Sequence, residues 1–278
     1  IPVAYGGTAT NPGGQPNIAG AASANLFYSP LLTSGIDTNV ETMAGRGVSG
    51  FQGGPIKVRP EAMSNWFFYN DNTDTIDPTL GSFVNGPGTA PLGNGSAQIS
   101  VTGSDRKNIS TFVYAGTLLS ELTTLRFSTY NPSAGNGGSP TTSGFLVFNV
   151  DFNGSNTWQS RLVYVPPTSN VQQDTWQEWD TIAGGSGIWV YSGATWPAGI
   201  GGGGEPGTTA KTWAQILAQY PAASMLLGNP HLGIRVGNPD PSGYTENIDS
   251  IKIGTGTVTT YDFEPTAIQN VDVDGFAS

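Results

Sequence analysis

The stretch GFLVFNVDFNG (144–154), followed closely by TWQSRLVYV (157–165), alternates apolar and polar side chains with a period of two. Successive side chains of a β-strand point to opposite faces, so this alternation indicates a half-buried strand. The core face would carry Leu146, Phe148, Val150 and Phe152. Asn153-Gly154 is typical of a tight hairpin turn. The sequence therefore predicts a β-hairpin over 145–165.

The same pattern recurs on both sides of this hairpin. Further strands are predicted at 66–70, 97–102, 109–115, 123–130, 175–182, 187–191, 232–237, 248–253 and 257–263. Loops rich in Gly, Pro and Asn separate them, which is typical of an antiparallel β-sandwich. One short helix is predicted at about 208–220, because apolar residues recur there at helical spacing and Pro221 follows.

The chain divides by composition into three parts. Residues 1–58 are rich in Gly, Ala and Pro and hold too few apolar side chains for a core of their own, so we predict an extended arm. Residues 59–265 form the predicted sandwich, and 266–278 form a C-terminal tail. The arm could pack on its own domain or add a strand to the sheet of a neighbouring copy.

Charge and composition exclude several classes of protein. The 278 residues include 20 acidic against 10 basic side chains, for a net charge of −10, and charged residues make up only 11%. An acidic chain without a basic cluster is not expected to bind nucleic acid or an anionic membrane. No apolar run is long enough to span a bilayer.

Residue usage also bears on compartment and on catalysis. The chain has no Cys and begins at Ile1, which fits a processed, secreted product located outside the cell or at its surface. Its one histidine, His231, has no recognisable nucleophile partner. Glu178 and Asp180 share a strand face but lack the third acid expected of jelly-roll hydrolases. We expect a protein without enzymatic activity.

Six segments resemble a known module as a set. They are NGPGTAPLGNGSAQISV (85–101), YAGTLLSELTTLRFSTY (114–130), FNVDFNGSNTWQSRLVYVP (148–166), DTWQEWDTI (174–182), TWAQILAQYP (212–221) and GYTENIDSIKIGTGTVTTYDFEP (243–265). Over about 60–265 the chain resembles uncharacterised secreted bacterial jelly-roll modules of the carbohydrate-binding-module type. The resemblance implies an all-β, antiparallel jelly-roll sandwich in an extracellular setting, and it implies no activity.

The same resemblance implies a structural Ca²⁺ ion, because such modules place an aspartate where this chain has Asp249. The densest acidic loop supplies further candidate ligands in Asp71, Asp74 and Asp77. Their spacing of three is equally typical of turns and caps.

Sugar binding would need exposed aromatic rings on which a pyranose can stack. Alternation places Trp189 and Tyr191 on one strand face, and we take them as candidate glycan-binding residues. The alternative is that they pack beneath loops or beneath the predicted helix. Three sequons, at Asn94, Asn108 and Asn153, permit N-glycosylation.

Two functions remain open. Low charge and the arm favour an extracellular structural protein that assembles with copies of itself into a fibre, sheath or surface layer. The alternative is a carbohydrate-binding or adhesive module of a cell-surface protein, with an extracellular polysaccharide as its partner.

Overall fold

The computed structural model describes residues 53–136, 139–183, 188–237 and 243–266. The predicted tail and nearly all of the predicted arm lie outside these ranges. The described residues form β1 (Ile56–Val58), β2 (Trp66–Asn70), β3 (Thr75–Ile76), β4 (Gly81–Asn85), β5 (Gly95–Val101), β6 (Arg106–Thr111), β7 (Thr124–Tyr130), β8 (Phe145–Asp151), β9 (Arg161–Tyr164), β10 (Gln177–Asp180), β11 (Trp189–Tyr191), α1 (Trp213–Gln219), β12 (Ser224–Met225), β13 (Leu232–Gly237), β14 (Tyr244–Thr255) and β15 (Thr257–Phe263).

The strands form two sheets, and the prediction of an all-β sandwich with one short helix is confirmed. In the first sheet β14 is central. One of its edges pairs with β7, and the opposite edge pairs first with β5 and then with β15. The partner changes near Asp249 and Ser250, where β14 carries a bulge and Ser250 has a φ of 52°. β1 pairs in parallel with β15, so residues 56–58 belong to the sandwich although we predicted them in the arm.

The second sheet has the order β11, β9, β8, β13, β6, β2 and β3, with β12 also pairing with β8. The chain crosses between the sheets repeatedly, as in a jelly roll. Alternate side chains of both sheets fill the space between them, including Ile109, Phe127, Phe148 and Ile248, all fully buried. The predicted strands at 66–70, 232–237 and 257–263 agree residue for residue with β2, β13 and β15.

Helix α1 covers one end of this core and is shorter than predicted. Thr212 caps it, accepting a hydrogen bond from the Gln215 N–H while the Gln215 side chain accepts from the Thr212 N–H. The residues before the cap belong to a loop, because Lys211 forms a backbone bridge with Trp189 of β11. Within the described ranges, the helical segments are all too short to span a membrane.

The hairpin over 145–165 is confirmed, but its connection is a long loop. The ladder of β8 with β9 ends at the pair Asn149 and Arg161, and residues 152–160 form a loop between the two strands. The Asp151 carboxylate organises this loop by accepting hydrogen bonds from the backbone N–H groups of Asn153 and Asn156. Asn153-Gly154 is thus part of a loop built around Asp151 and not a two-residue turn.

Candidate functional site

The two outer faces of the sandwich differ in character. The first sheet presents ion pairs, such as those of Glu178 with Arg126 and Lys252. The second sheet carries aromatic rings along one side, and two of them are open to solvent. Trp158 is 59% exposed and Phe112 is 40% exposed. Exposed rings beside polar groups are what a ligand-binding face requires, so the outer face of the second sheet is the candidate site.

Trp158 lies in the loop 152–160 and is held in place from below. Its indole Nε1 donates a hydrogen bond to Asn149 Oδ1 at 3.2 Å. Asn149 in turn donates through Nδ2 to the Asn229 carbonyl at 2.7 Å, and its backbone N–H donates to the Pro230 carbonyl. The ring is therefore fixed at one edge while most of its surface remains in contact with water.

A second group of rings surrounds His231, the chain's one histidine. The ring centroid of Tyr69 lies 4.2 Å from that of His231, and Phe112 lies at 4.8 Å. Phe67 packs on Phe112 at 4.5 Å. Phe112 follows β6, and His231 precedes β13, so the two residues face each other across neighbouring strands. The exposed face of Phe112 thus stands on a buried aromatic base.

A cavity of about 380 Å³ lies between Trp158 and this ring group. Its lining is Asp74, Asn149, Trp158, Arg161, Leu226, Asn229 and His231. The register places Asn149, His231 and Phe112 on three adjacent strands, which spans about 10 Å across the sheet. A carboxylate, two amides, a guanidinium and an imidazole therefore line one cavity beside the exposed ring of Trp158.

His231 is suited to bind a ligand as a neutral group. The residue is only 6% exposed, and its Nδ1 is buried with no hydrogen-bond partner. Burial lowers the pKa of its imidazole to about 4, and the nearby Arg161 adds to this effect. At neutral pH the ring carries no charge, and the residue forms part of the lining of the polar cavity.

Three arginines from different strands gather around Asp71, whose side chain is 1% exposed, and we refer to them as the arginine cluster. Asp71 lies 2.8 Å from Arg161 Nη2, 2.6 Å from Arg235 Nη2 and 4.0 Å from Arg106 Nε. Burial lowers the pKa of Arg235 to about 10, against the opposing effect of Asp71, so it remains charged at neutral pH. Asp71 is the counter-ion that permits these guanidinium groups to be buried.

This arrangement corrects the predicted calcium ligands in the acidic loop. Asp71 is neutralised by arginine, and Asp74 accepts a hydrogen bond from the Tyr69 hydroxyl. Asp77 caps a 3₁₀ turn by accepting from the Thr79 N–H at 2.8 Å. The three side chains serve different partners because the loop uses them for ion pairing and turn formation, so they do not form a cation site.

Asp249 lies on the other sheet, at the bulge of β14. Its two oxygens accept hydrogen bonds from the Leu92 and Phe263 N–H groups, and burial raises its pKa to about 7. Asp262 adds to that shift, and its own Oδ1 is buried without a partner. Over the described ranges, no three His, Asp or Glu side chains form a group that could hold a metal ion. Calcium stays a prediction for Asp249.

The prediction that Trp189 and Tyr191 bind a glycan is wrong, because the strand face that they share is buried. Trp189 and Tyr191 do share a face, but it is the core face, and they are 1% and 9% exposed. Trp189 packs on Trp213 of α1 with ring centroids 5.0 Å apart, and Tyr191 packs on Trp196 at 5.5 Å. A ring enclosed by other rings cannot stack on a sugar. The alternative interpretation, packing beneath the helix, is the one that the structure supports.

The three sequons differ in whether the folded chain exposes their asparagine. Asn108 is 1% exposed, and its Oδ1 accepts from Arg235 Nε at 3.3 Å, so the folded chain offers no acceptor there. Asn94 and Asn153 are exposed, and their glycosylation stays a prediction.

Sequence patterns did not reveal Trp158 as a site residue. Counting back from Leu162 and Tyr164 in steps of two puts Trp158 on the core face of a continuous strand. The strand begins only at Arg161, so the alternation does not extend to Trp158. In the structure the Asp151 carboxylate accepts four hydrogen bonds from this loop. The signal in the sequence was an acid followed by Asn, Gly and Ser, which favours a loop over a strand.

Comparisons with known proteins add little to this geometry. No family model matches the chain, and no curated protein matches it. A solved structure from work on the "Structural basis for the promiscuous specificity of the carbohydrate-binding modules from the beta-sandwich super family" is similar at 14% identity, with a TM-score of 0.33. The match covers 71% of this chain and 57% of that one, so it spans just over half of that structure. A TM-score this low carries no argument, and the site must be judged on its own residues.

Proposed function

We propose that this protein binds carbohydrate along the outer face of its second sheet, between Trp158 and Phe112. The observation that carries the proposal is the indole of Trp158, 59% exposed and tethered through Nε1 to Asn149 at the rim of a polar cavity. An exposed, oriented ring beside polar groups is what stacking on a sugar requires.

The chemistry of the face suits a sugar. A pyranose ring presents C–H groups on its faces and hydroxyls around its edge. It can therefore stack on Trp158 while Asn149, Asn229 and Asp74 exchange hydrogen bonds with its hydroxyls. Because Trp158 and Asn149 are already connected by hydrogen bonds, little side-chain freedom is lost on binding.

The span of about 10 Å from Asn149 to Phe112 is long enough for more than one sugar ring. An internal stretch of a polysaccharide is thus a better ligand than a monosaccharide. This ligand fits the secreted, cell-surface setting that we propose for the chain. Self-assembly through the arm stays a separate prediction, since the arm lies outside the described residues. Nothing in the site calls for catalysis, and we propose a binding role without enzymatic activity.

The test is affinity electrophoresis against a panel of neutral and acidic plant, algal and bacterial polysaccharides, using the full chain. We expect retardation by at least one glycan. Trp158→Ala should weaken it roughly tenfold, the loss expected for one stacking contact of about 1.4 kcal/mol.

The matched control is Trp176→Ala, which removes a half-buried tryptophan on the side of the first sheet. It should leave retardation unchanged. If the panel shows no retardation, or if Trp158→Ala binds as well as the wild type, the proposed function is refuted.

A further inference from the structure

We infer that the sugar bound at this face carries a carboxylate, as a uronic acid does, and that Arg161 binds that carboxylate. The inference rests on the proposed carbohydrate function and specifies the ligand class. Two observations carry it: three arginines gather around Asp71, and one of them, Arg161, lines the cavity.

The arginines near the cavity are concentrated around a single carboxylate. Arg106, Arg161 and Arg235 surround Asp71, and Asp74 is the carboxylate that lines the cavity. Around Asp71, guanidinium groups outnumber carboxylates three to one. The chain as a whole carries a net charge of −10 with only 10 basic side chains. Three arginines at one place are therefore a concentrated positive site on an acidic protein.

Arg161 is the member of the arginine cluster that faces the cavity. Among the described residues it is the cationic side chain in the lining, and its side chain is 18% exposed. It contacts Asp71 through Nη2. A guanidinium has five N–H donors in a planar fork, so donors remain for a ligand after one contact with Asp71.

Asp71 also fixes the guanidinium of Arg161 in place. A planar fork that is already oriented loses little freedom when it binds a second carboxylate, and this geometry matches a carboxylate better than it matches a single hydroxyl. Because the group is largely removed from water, its attraction for an anion is screened less than it would be at an open surface.

His231 supplies a neutral partner beside it. The residue lines the cavity, and because its ring is neutral it adds no second charge. The site therefore offers the guanidinium of Arg161 together with several neutral or paired groups. This set fits one carboxylate on a sugar that otherwise carries hydroxyls.

The test compares one glycan in two forms: oligogalacturonate as the free acid, and the same oligomer fully methyl-esterified, which is neutral. Alginate oligomers and their esters repeat the comparison with a different uronate. Binding is measured by isothermal titration calorimetry with the full chain. We expect the acid to bind at least about tenfold more tightly than its ester, the effect of one charge-assisted contact.

Arg161→Gln should abolish the preference for the acid, so that acid and ester bind this variant with about the same affinity. The matched control, Arg126→Gln, removes an arginine that pairs with Glu178 and Asp180 on the first sheet, and it should change neither. Arg161→Lys keeps the charge without the fork and should recover only part of the preference. Melting curves of each variant confirm that the chain is folded.

The two proposals fail in different ways. If acid and ester bind equally and Trp158→Ala weakens both, the carboxylate inference is wrong and the carbohydrate function stands. If neither uronate binds while a neutral glycan does, the inference is also wrong. If no glycan in the panel binds, both proposals fall.

Discussion

Replacing Asp71 by Asn should destabilise the fold strongly, although the two side chains have nearly the same size. The substitution removes the counter-ion of two buried guanidinium groups, since the side chains of Arg235 and Arg161 are 8% and 18% exposed. Removing one partner of a buried ion pair costs about 3–5 kcal/mol because an unpaired charge is left out of water. We expect a loss in that range, without a cavity contributing to it.

The matched control is Glu178→Gln. Glu178 also contacts two cations, Arg126 at 3.2 Å and Lys252 at 2.6 Å, but its side chain is 36% exposed. Water replaces those contacts easily, so the cost should be below about 1 kcal/mol. The two substitutions make the same chemical change and differ in burial.

Urea unfolding followed by tryptophan fluorescence measures both variants, with the free energy of unfolding taken from the midpoint and slope. Added salt should lower the stability of the wild type slightly through Glu178 and should not reduce the effect of Asp71→Asn. If Asp71→Asn loses no more than Glu178→Gln, Asp71 is not the group that permits the arginines to be buried, and the charge argument for the site fails with it.

Three further predictions concern the tryptophans Trp189 and Trp158, the protonation of His231, and calcium at Asp249. Trp189→Ala should cost about 3–5 kcal/mol in urea unfolding, because its ring is enclosed in the core, whereas Trp158→Ala should cost less than about 1 kcal/mol; comparable losses would contradict the assignment of the two rings. Burial lowers the pKa of His231 to about 4, so as the pH falls the unfolded chain takes up this proton before the folded chain does. Protonation therefore favours unfolding. The free energy of unfolding should fall by up to about 3 kcal/mol as the pH drops from 6.5 toward 4. Asp249, with a pKa raised to about 7, changes the stability in the opposite direction over this pH range. The measurement is therefore the difference in the free energy of unfolding between wild type and His231→Gln from about pH 6.5 to about pH 4. A difference that stays constant with pH would count against a buried neutral imidazole. Millimolar CaCl₂ above pH 7 should raise the melting temperature of the wild type but not of Asp249→Asn, and identical curves with and without calcium would exclude the ion there.

The sandwich could be predicted from the sequence because its strands follow a simple rule. Alternation correctly places Leu146, Phe148 and Val150 on one strand face, and all three are buried. The same rule correctly places Trp189 and Tyr191 on one strand face. It does not say which face is enclosed, and that is why the predicted glycan platform was placed on the core side. Deciding this needs the second sheet and α1, which are far away in the sequence.

The candidate site follows no such rule. Asp71 meets Arg161 and Arg235 because β2, β9 and β13 lie in one sheet, and the residues involved are up to 164 positions apart by number. Trp158 becomes exposed because Asp151 organises a loop where alternation predicts a strand. Contacts set by sheet order and by side-chain hydrogen bonds in loops are not recorded in local periodicity, so these residues could be found only in the structure.

The place of β14 in the first sheet has a consequence for how the chain folds. This strand comes next to last along the described chain, yet it supplies the partner edge for β5, for β7 and for β15. During synthesis, residues 95–101 and 124–130 emerge long before residue 244 and must wait with open strand edges. Closing the sheet joins segments far apart in sequence, which makes folding slow relative to helical proteins of similar size. A chain interrupted before residue 244 would keep those edges available for pairing with other chains, and the ribosome or a chaperone would have to protect them until β14 and β15 are made.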